Sequence, residues 1–444
     1  MTDRIDLLSR VGDAPRVHFI TLGCPKNEVD TDYMHGLLLS SGYTVTDDLA
    51  QADVAVLNTC GFIQDAVEES IAEALDLLEW RDGVLGRKLV MAGCMVSRYG
   101  GELSKSLPEP DAYLAVKEAT RLPEVLDELL GIDRQAHPAI PTIKRSGTPS
   151  HFAYLMISDG CRRQCAYCTI PMIRGPYESK PLEAIVDEAR LLVQNGAREI
   201  ILIGQDISSW GCDLEGSQTL LDVIRDISAL PGLEWLRLMY VQPDGITDEL
   251  LELIAKTRNV CKYLDIPLQH ASSEILRSMH RNGSSKSFMA LLEKIRGTIP
   301  DIVLRTTFIT GFPGETKKHY NELLEFVEDA AFDYVGVFPY SREAGTLAAE
   351  MPNQASSKVR LSRAQHLRDL ADSLALEQIA KRIGTTVDVL AEGRDEDGSP
   401  VGRWMGQAPE VDGIVFLDRE VPIGQIVDVK IVDTIGYDLV GEVI

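Results

Sequence analysis

Six short apolar runs beyond residue 150 constrain this chain more than any other feature. FAYLMI, EIILIG, WLRLMY, KYLDIPL, VLRTTFIT and YVGVFPY recur, separated by amphipathic stretches such as LEAIVDEARLLVQNG and SFMALLEKIRGTI. Runs of this length, alternating with helical periodicity, read as buried strands joined by crossover helices, and that connection imposes parallel pairing. Six such βα units fall short of the eight of a closed barrel. An open or partial (βα)-barrel is therefore expected over residues 151–378, with its working residues at the carboxyl ends of the strands.

The same rhythm appears earlier. VHFITL from Arg16, a helical stretch from about Asn27 to Ser41, VAVLN, a helix through about Trp80, and KLVMA predict an open parallel α/β domain over residues 14–130. Residues 131–150, GIDRQAHPAIPTIKRSGTPS, carry three prolines among small and polar residues and read as a linker. A long helical run from about Ser357 to Lys381 leads out of the central domain. Residues 379–444 then change to TVDVLAEG, GRWMGQAP, IVFLD, IVDVKIVDTI and DLVGEVI, broken by Gly and Asp turns, which predicts a small antiparallel β-barrel. The fold class is α/β with this β-barrel appended.

Eight cysteines stand at positions 24, 60, 94, 161, 165, 168, 212 and 261. The first residues lack a basic segment followed by an apolar one, and no window offers about 18 uninterrupted apolar residues, so a cytoplasmic protein without membrane contact is expected. Metal or redox chemistry then explains clustered cysteines better than structural disulfides do. Cys161, Cys165 and Cys168 lie in SDGCRRQCAYCTIPMIRGP, just past a strand. Three thiolates on one loop can hold three irons of a four-iron cluster and leave the fourth open to a small chelating molecule. A zinc knuckle would call for a fourth ligand close by. Cys24, Cys60 and Cys94 share another context, each just past the carboxyl end of an expected parallel strand, where three thiolates can converge on a second cluster. Cys212 and Cys261 lack partner spacing and read as ordinary thiols.

The spacing of the 161–168 loop, with Tyr167 before its last cysteine, resembles the radical S-adenosylmethionine family. Two three-cysteine sites, an α/β domain, a partial barrel and a terminal β-barrel together resemble the methylthiotransferases of that family, over about residues 16–444. The resemblance implies two [4Fe–4S] clusters, S-adenosylmethionine, and an electron donor such as flavodoxin or ferredoxin. It also implies that the N-terminal cluster carries sulfur that one cofactor molecule methylates, while a second cofactor molecule activates the carbon to be thiolated. The terminal barrel becomes TRAM-like. Gly204, Gln205 and Asp206, which close the run EIILI, stand where many radical enzymes place a Gly-Gly-Glu segment against the cofactor; ordinary turn chemistry explains them equally well. Gln269 and Arg305 resemble cofactor-side residues of the family, as does Tyr167, while His270 reads also as a hydrogen-bonded core residue. No catalytic side chain is assigned beyond these.

Charge bears on the substrate. The chain carries 44 Lys and Arg against 68 Asp and Glu, a formal net charge of −24. Residues 381–444 hold six against thirteen, a local charge of −7. A module that grips RNA should present a basic face. An acidic one suits a basic protein partner and disfavours stable transfer RNA binding, with Glu410, Asp412, Asp418 and Glu420 the expected surface charges. LGCPKNEVD, GRWMGQAPEVDG and YDLVGE resemble the ribosomal-protein branch of the methylthiotransferases, whose target is an aspartate of small-subunit ribosomal protein twelve, converted to 3-methylthioaspartate. The alternative is the branch that modifies adenosine in transfer RNA. An iron–sulfur electron carrier or ribosome-assembly factor fits less well, since a carrier usually fills every iron with cysteine.

Overall fold

The computed structural model describes residues 14–133, Arg145 and 151–444. Most of the expected linker, 131–150, lies outside the described residues. The described chain forms two compact units. One takes the residues before 149 together with Asp159–Arg162 and Thr169–Tyr177; the other takes those from 151 to 158, Arg163–Cys168 and Glu178–Ile444.

The first unit is built on β1 (Arg16–Thr21), β2 (Thr44–Val45), β3 (Val54–Thr59), β4 (Lys88–Gly93) and β5 (Ala112–Ala115), with helices α1 (Pro25–Ser40), α2 (Gln64–Asp82), α3 (Cys94–Ser106), α4 (Leu122–Leu130) and the single turn α5 (Ile170–Ile173). The strands run parallel in the order β2-β1-β3-β4-β5. Alternate side chains of one strand face opposite ways, and the core divides accordingly. Val54, Val56, Val90 and Ala92 pack with Met34 and Leu38 of α1 and Leu122 and Leu126 of α4. Ala55, Leu57, Leu89 and Met91 pack with Leu77 of α2 and Met95 of α3. Burial on both faces explains why β3 and β4 read as continuous apolar runs. Arg145, buried, closes on Asp32 of α1 at 2.9 Å.

All six expected strands form in the second unit: β6 (Phe152–Met156), β9 (Glu199–Ile203), β10 (Trp235–Leu238), β11 (Tyr263–Gln269), β12 (Val303–Thr310) and β13 (Tyr334–Pro339). The two-residue strands β7 (Ser158–Asp159) and β8 (Glu178–Ser179) flank the cysteine loop. Parallel ladders give β6-β9-β10 and β11-β12-β13, and a parallel bridge between Leu236 and Val260 joins the halves into one partial barrel. Crossovers run through α6 (Leu182–Gln194), α7 (Leu220–Ser228), α8 (Asp248–Lys256), α9 (Ser273–Ser278), α10 (Ser285–Thr298) and α11 (Lys317–Ala330). The short α12 (Leu347–Glu350) follows β13. The long run ahead of the terminal barrel is α13 (Ser357–Ala380), opened by Ser356, whose side chain accepts from the Val359 N–H.

The C-terminal segment closes as a five-stranded barrel, β14 (Thr386–Arg394), β15 (Pro400–Trp404), β16 (Val415–Leu417), β17 (Ile426–Ile435) and β18 (Asp438–Val443), in the order β14-β15-β16-β18-β17. It departs from the expected antiparallel barrel at one seam, because β16 and β18 pair in parallel. A three-residue strand at that position closes the ring and leaves no open edge.

Asp412 corrects the surface reading of this barrel. It is 1% exposed, and its carboxylate accepts from Tyr263 Oη at 2.6 Å, Arg305 Nε at 3.2 Å and the Ala408 N–H at 3.0 Å. The segment between β15 and β16 thus seals the amino-terminal mouth of the partial barrel. Glu199, the first residue of β9, is fully buried there between Arg237 at 2.6 Å and Arg403 at 2.7 Å.

Candidate functional site: two cysteine centres

Cys24, Cys60 and Cys94 occupy the carboxyl-end edge of the first sheet. Cys24 is the extended residue before α1, with Pro25 taking the first helical position, where a missing N–H costs nothing. Cys60 follows β3, its backbone held by Ser70, which accepts from the Cys60 N–H at 3.1 Å and donates to its carbonyl at 3.0 Å. Cys94 opens α3 directly after β4. The three approach because glycines flank them. A Cβ on Gly23 (φ +104°) would lie 3.0 Å from Cys60 Sγ, and one on Gly93 (φ +96°) would overlap Asn58 Oδ1.

The thiols feel one another. Burial pushes Cys94 up to about 12, with Arg174 pulling the other way and Cys24, Asp30 and Cys60 adding to the rise. Cys60 is raised by burial, and Cys24 contributes to that as well. Asn27, fully buried, ties the edge together: its Nδ2 donates to the carbonyls of Leu22 at 2.7 Å and Thr59 at 3.1 Å, and its Oδ1 lies 3.3 Å from Cys94 Sγ. Among the described residues no group of three or more His, Cys, Asp or Glu side chains is close enough to hold a single metal ion. A cluster, whose cysteine ligands bind different irons, does not require the three thiols to meet at one metal ion.

The second centre lies at the carboxyl ends of the partial barrel. The loop 163–168 is clamped there at several strand ends. Arg163 Nε donates to Asp206, just past β9, at 2.7 Å, and its Nη2 donates to Asp244, past β10, at 2.6 Å. Arg281 Nη2 donates to the Pro267 carbonyl of β11 at 2.7 Å and to Gln242 at 2.8 Å, while its Nη1 lies 3.8 Å from Cys165 Sγ. Ala166 packs with Met279, Phe312, Tyr340 and Ala348, and Tyr167 joins the same cluster. Burial, and secondarily the Cys165 thiol, push the Tyr167 phenol well above its ordinary range. The N–H of Cys161 donates to the Gly175 carbonyl at 3.4 Å within the first unit.

Three segments of the chain match family models: residues 16–115 the uncharacterized protein family UPF0004, residues 155–327 the radical SAM superfamily, and residues 383–444 the TRAM domain. The chain is 41% identical to the ribosomal protein uS12 methylthiotransferase RimO of Pelobacter propionicus, over 96% of this chain and 98% of that protein. It is 42% identical to the RimO of Geobacter sulfurreducens, over 97% and 98%. The chain belongs to the RimO family of radical S-adenosylmethionine methylthiotransferases. RimO enzymes use S-adenosylmethionine and two [4Fe–4S] clusters. At the level of fold, the chain is similar to the radical S-adenosylmethionine methyltransferase TsrM from Kitasatospora setae, solved with cobalamin and a [4Fe–4S] cluster, with TM-score 0.55, 16% identity, and coverage of 74% of this chain and 76% of that one.

The other expected site residues divide in two. Gly204, Gln205 and Asp206 follow β9 at the loop end, where a Cβ on Gly204 would press on Ser158 Oγ at 2.7 Å. Asp206 is fully buried, and its carboxylate is taken up by Arg163, Ser208 and Ser209, so it braces the cysteine loop. Gln269 ends β11 with a left-handed φ of +71°. His270 is a buried core residue: its Nδ1 accepts from the Ser272 N–H at 2.9 Å, and its Nε2 faces Glu315 at 3.3 Å. Arg305 is not brought to this end. It is the third residue of β12, bound by Asp265 at 3.1 Å and by Asp412. Cys261 is buried beside Arg237, and Cys212 is exposed. Arg163, Arg174 and Arg281 carry much of both sites yet were not expected from the sequence, since an arginine in a loop has no spacing signal to mark it.

Proposed function

We propose that this chain transfers a methylthio group to the β-carbon of an aspartate in ribosomal protein uS12, with Cys161, Cys165 and Cys168 holding one cluster and Cys24, Cys60 and Cys94 the other. The observation that carries the reading is the pair of three-cysteine sets at strand carboxyl ends, in a chain about 40% identical to RimO proteins over nearly its whole length. When bound, the clusters and S-adenosylmethionine supply the one-electron chemistry, the methyl group and the sulfur. The protein's share is placement. Arg163 and Arg281 fix the 163–168 loop against the strand ends, and Tyr167 with Phe312 and Tyr340 keeps water from one side of it. Gly204 and Gln205, just past β9, are the proposed cofactor contacts on the strength of the family resemblance. Asn27 and Ser70 tie down the backbone around Cys60, at the edge that carries the N-terminal thiols.

The test is anaerobic reaction of the reconstituted chain with uS12, read by the mass of the ribosomal protein. Gain of one methylthio group on an aspartate is expected, and unmodified uS12 beside modified transfer RNA overturns the substrate reading. Cys161→Ala, Cys165→Ala and Cys168→Ala together should abolish cofactor cleavage and leave one cluster. Cys24→Ala, Cys60→Ala and Cys94→Ala together should preserve cleavage and stop methylthio transfer; equal loss of both, with the fold intact, refutes the division of labour.

A further inference from the structure

Arg174 stands six residues beyond Cys168 in the chain, but its guanidinium belongs to the N-terminal cysteine centre. It is 2% exposed. Its Nη2 donates to Asp30 at 2.7 Å and to Asn27 Oδ1 at 3.0 Å, and lies 3.7 Å from Cys94 Sγ, while Nη1 reaches Asp159 at 3.4 Å. Asn27 can turn only its Oδ1 toward Arg174, because its Nδ2 is spent on two carbonyls. A buried guanidinium persists where partners replace its hydration. Here Asp30 and Asn27 do so, and in doing so hold the same nitrogen 3.7 Å from the Cys94 sulfur.

The geometry points to Arg174 as a positioning residue that fixes the Cys94 sulfur and raises the reduction potential of the N-terminal cluster. The inference rests on Cys24, Cys60 and Cys94 being that cluster's ligands. Hydrogen bonds and positive charge at a ligand sulfur stabilise the reduced, more negative state of an iron–sulfur cluster. Arg174 supplies the positive charge, its Nη2 3.7 Å from the Cys94 sulfur, from the segment that follows the other cysteine motif.

The experiment is a dye-mediated redox titration followed by electron paramagnetic resonance. It uses the full chain carrying Cys161→Ala, Cys165→Ala and Cys168→Ala, so that only the N-terminal cluster contributes. Arg174→Gln should make one-electron reduction about tenfold less favourable, a shift of about 59 mV to lower potential. Arg174→Lys, which keeps the charge without the planar fork, should fall between Gln and the parent. Iron and sulfide analysis of each sample accompanies the titration. Unchanged potentials in both variants overturn the inference, as does loss of the cluster from both, which would make Arg174 a strut alone. A parent background that itself holds no cluster overturns the ligand reading instead, and the iron content distinguishes that result from the other two.

Discussion

Removing Glu199 should unfasten the terminal barrel from the partial barrel. Its two carboxylate oxygens serve two guanidinium groups, Arg237 Nε at 2.6 Å and Arg403 Nη2 at 2.7 Å, and all three side chains are at most 1% exposed. In Glu199→Ala, Arg403 keeps Glu392 at 2.6 Å, whereas Arg237 is left with the Met405 carbonyl at 2.9 Å. Breaking a buried pair by deleting one partner costs about 3–5 kcal/mol, because the remaining charge stays buried. Glu199→Gln keeps the volume and isolates the charge. Guanidinium chloride unfolding of the cluster-free chain, followed by fluorescence to which the buried Trp235 and Trp404 contribute, should show the midpoint falling by about 1 M. A shift under about 0.2 M, roughly 1 kcal/mol, would mean that the two arginines do not depend on Glu199, and the account of this junction would be wrong.

Gly93→Ala should cost about 3 kcal/mol or more, since its Cβ would overlap Asn58 Oδ1 at a left-handed φ; a thermal midpoint within 2 °C of the parent refutes that. Burial alone would raise the Glu392 carboxyl, but the His151 hydrogen bond and the Arg403 charge outweigh it and hold the group below its ordinary 4.5. The stability it contributes is therefore present above 4.5 and lost as pH falls through the lower folded value, and Glu392→Gln should flatten the acid limb of barrel unfolding measured between pH 5 and pH 3. Arg163→Met should lower cluster retention or cofactor cleavage by about tenfold or more, as expected when an outer support of a metal centre is removed; parent-level iron content and cleavage rate would show the clamp to be dispensable. Reversing the exposed Glu396, Asp397 and Asp433 of the barrel should slow association with uS12 and weaken its salt dependence, because rim charges act on encounter. A stopped-flow titration over a range of salt that shows no change refutes the steering role.

Much of this architecture could be read from period and placement. Strands buried on both faces write continuous apolar runs, so β3, β4 and the six strands of the partial barrel declare themselves, as do the cysteines just beyond their ends. Side-chain destinations were not legible. Asp412 looked like one more surface carboxylate in an acidic segment, yet it is buried on Arg305, a residue 107 positions away in the chain. Arg305 in turn looked cofactor-facing, although it sits near the start of its strand. Charge counted along a sequence carries no record of burial, and a pairing over such a separation leaves no local pattern. The parallel seam of β16 and β18 escaped notice for a related reason: three residues are too few to show which neighbour they pair with.

The ionic layer lies at the end of the partial barrel opposite the cysteine loop. Tyr154, Glu199, Arg237, Tyr263 and Arg305 are each the first or third residue of their strands, and the loop between β15 and β16 closes over them through Met405, Glu410 and Asp412. Charges so buried require every partner in place, which makes that end rigid. The carboxyl ends are supported differently, by long arginine side chains reaching in from loops, as Arg163 and Arg281 do. Such supports hold a cysteine loop in register. A strand therefore spends its first residues on stability and its last on function, and a substitution should change unfolding or cofactor chemistry according to which end it occupies.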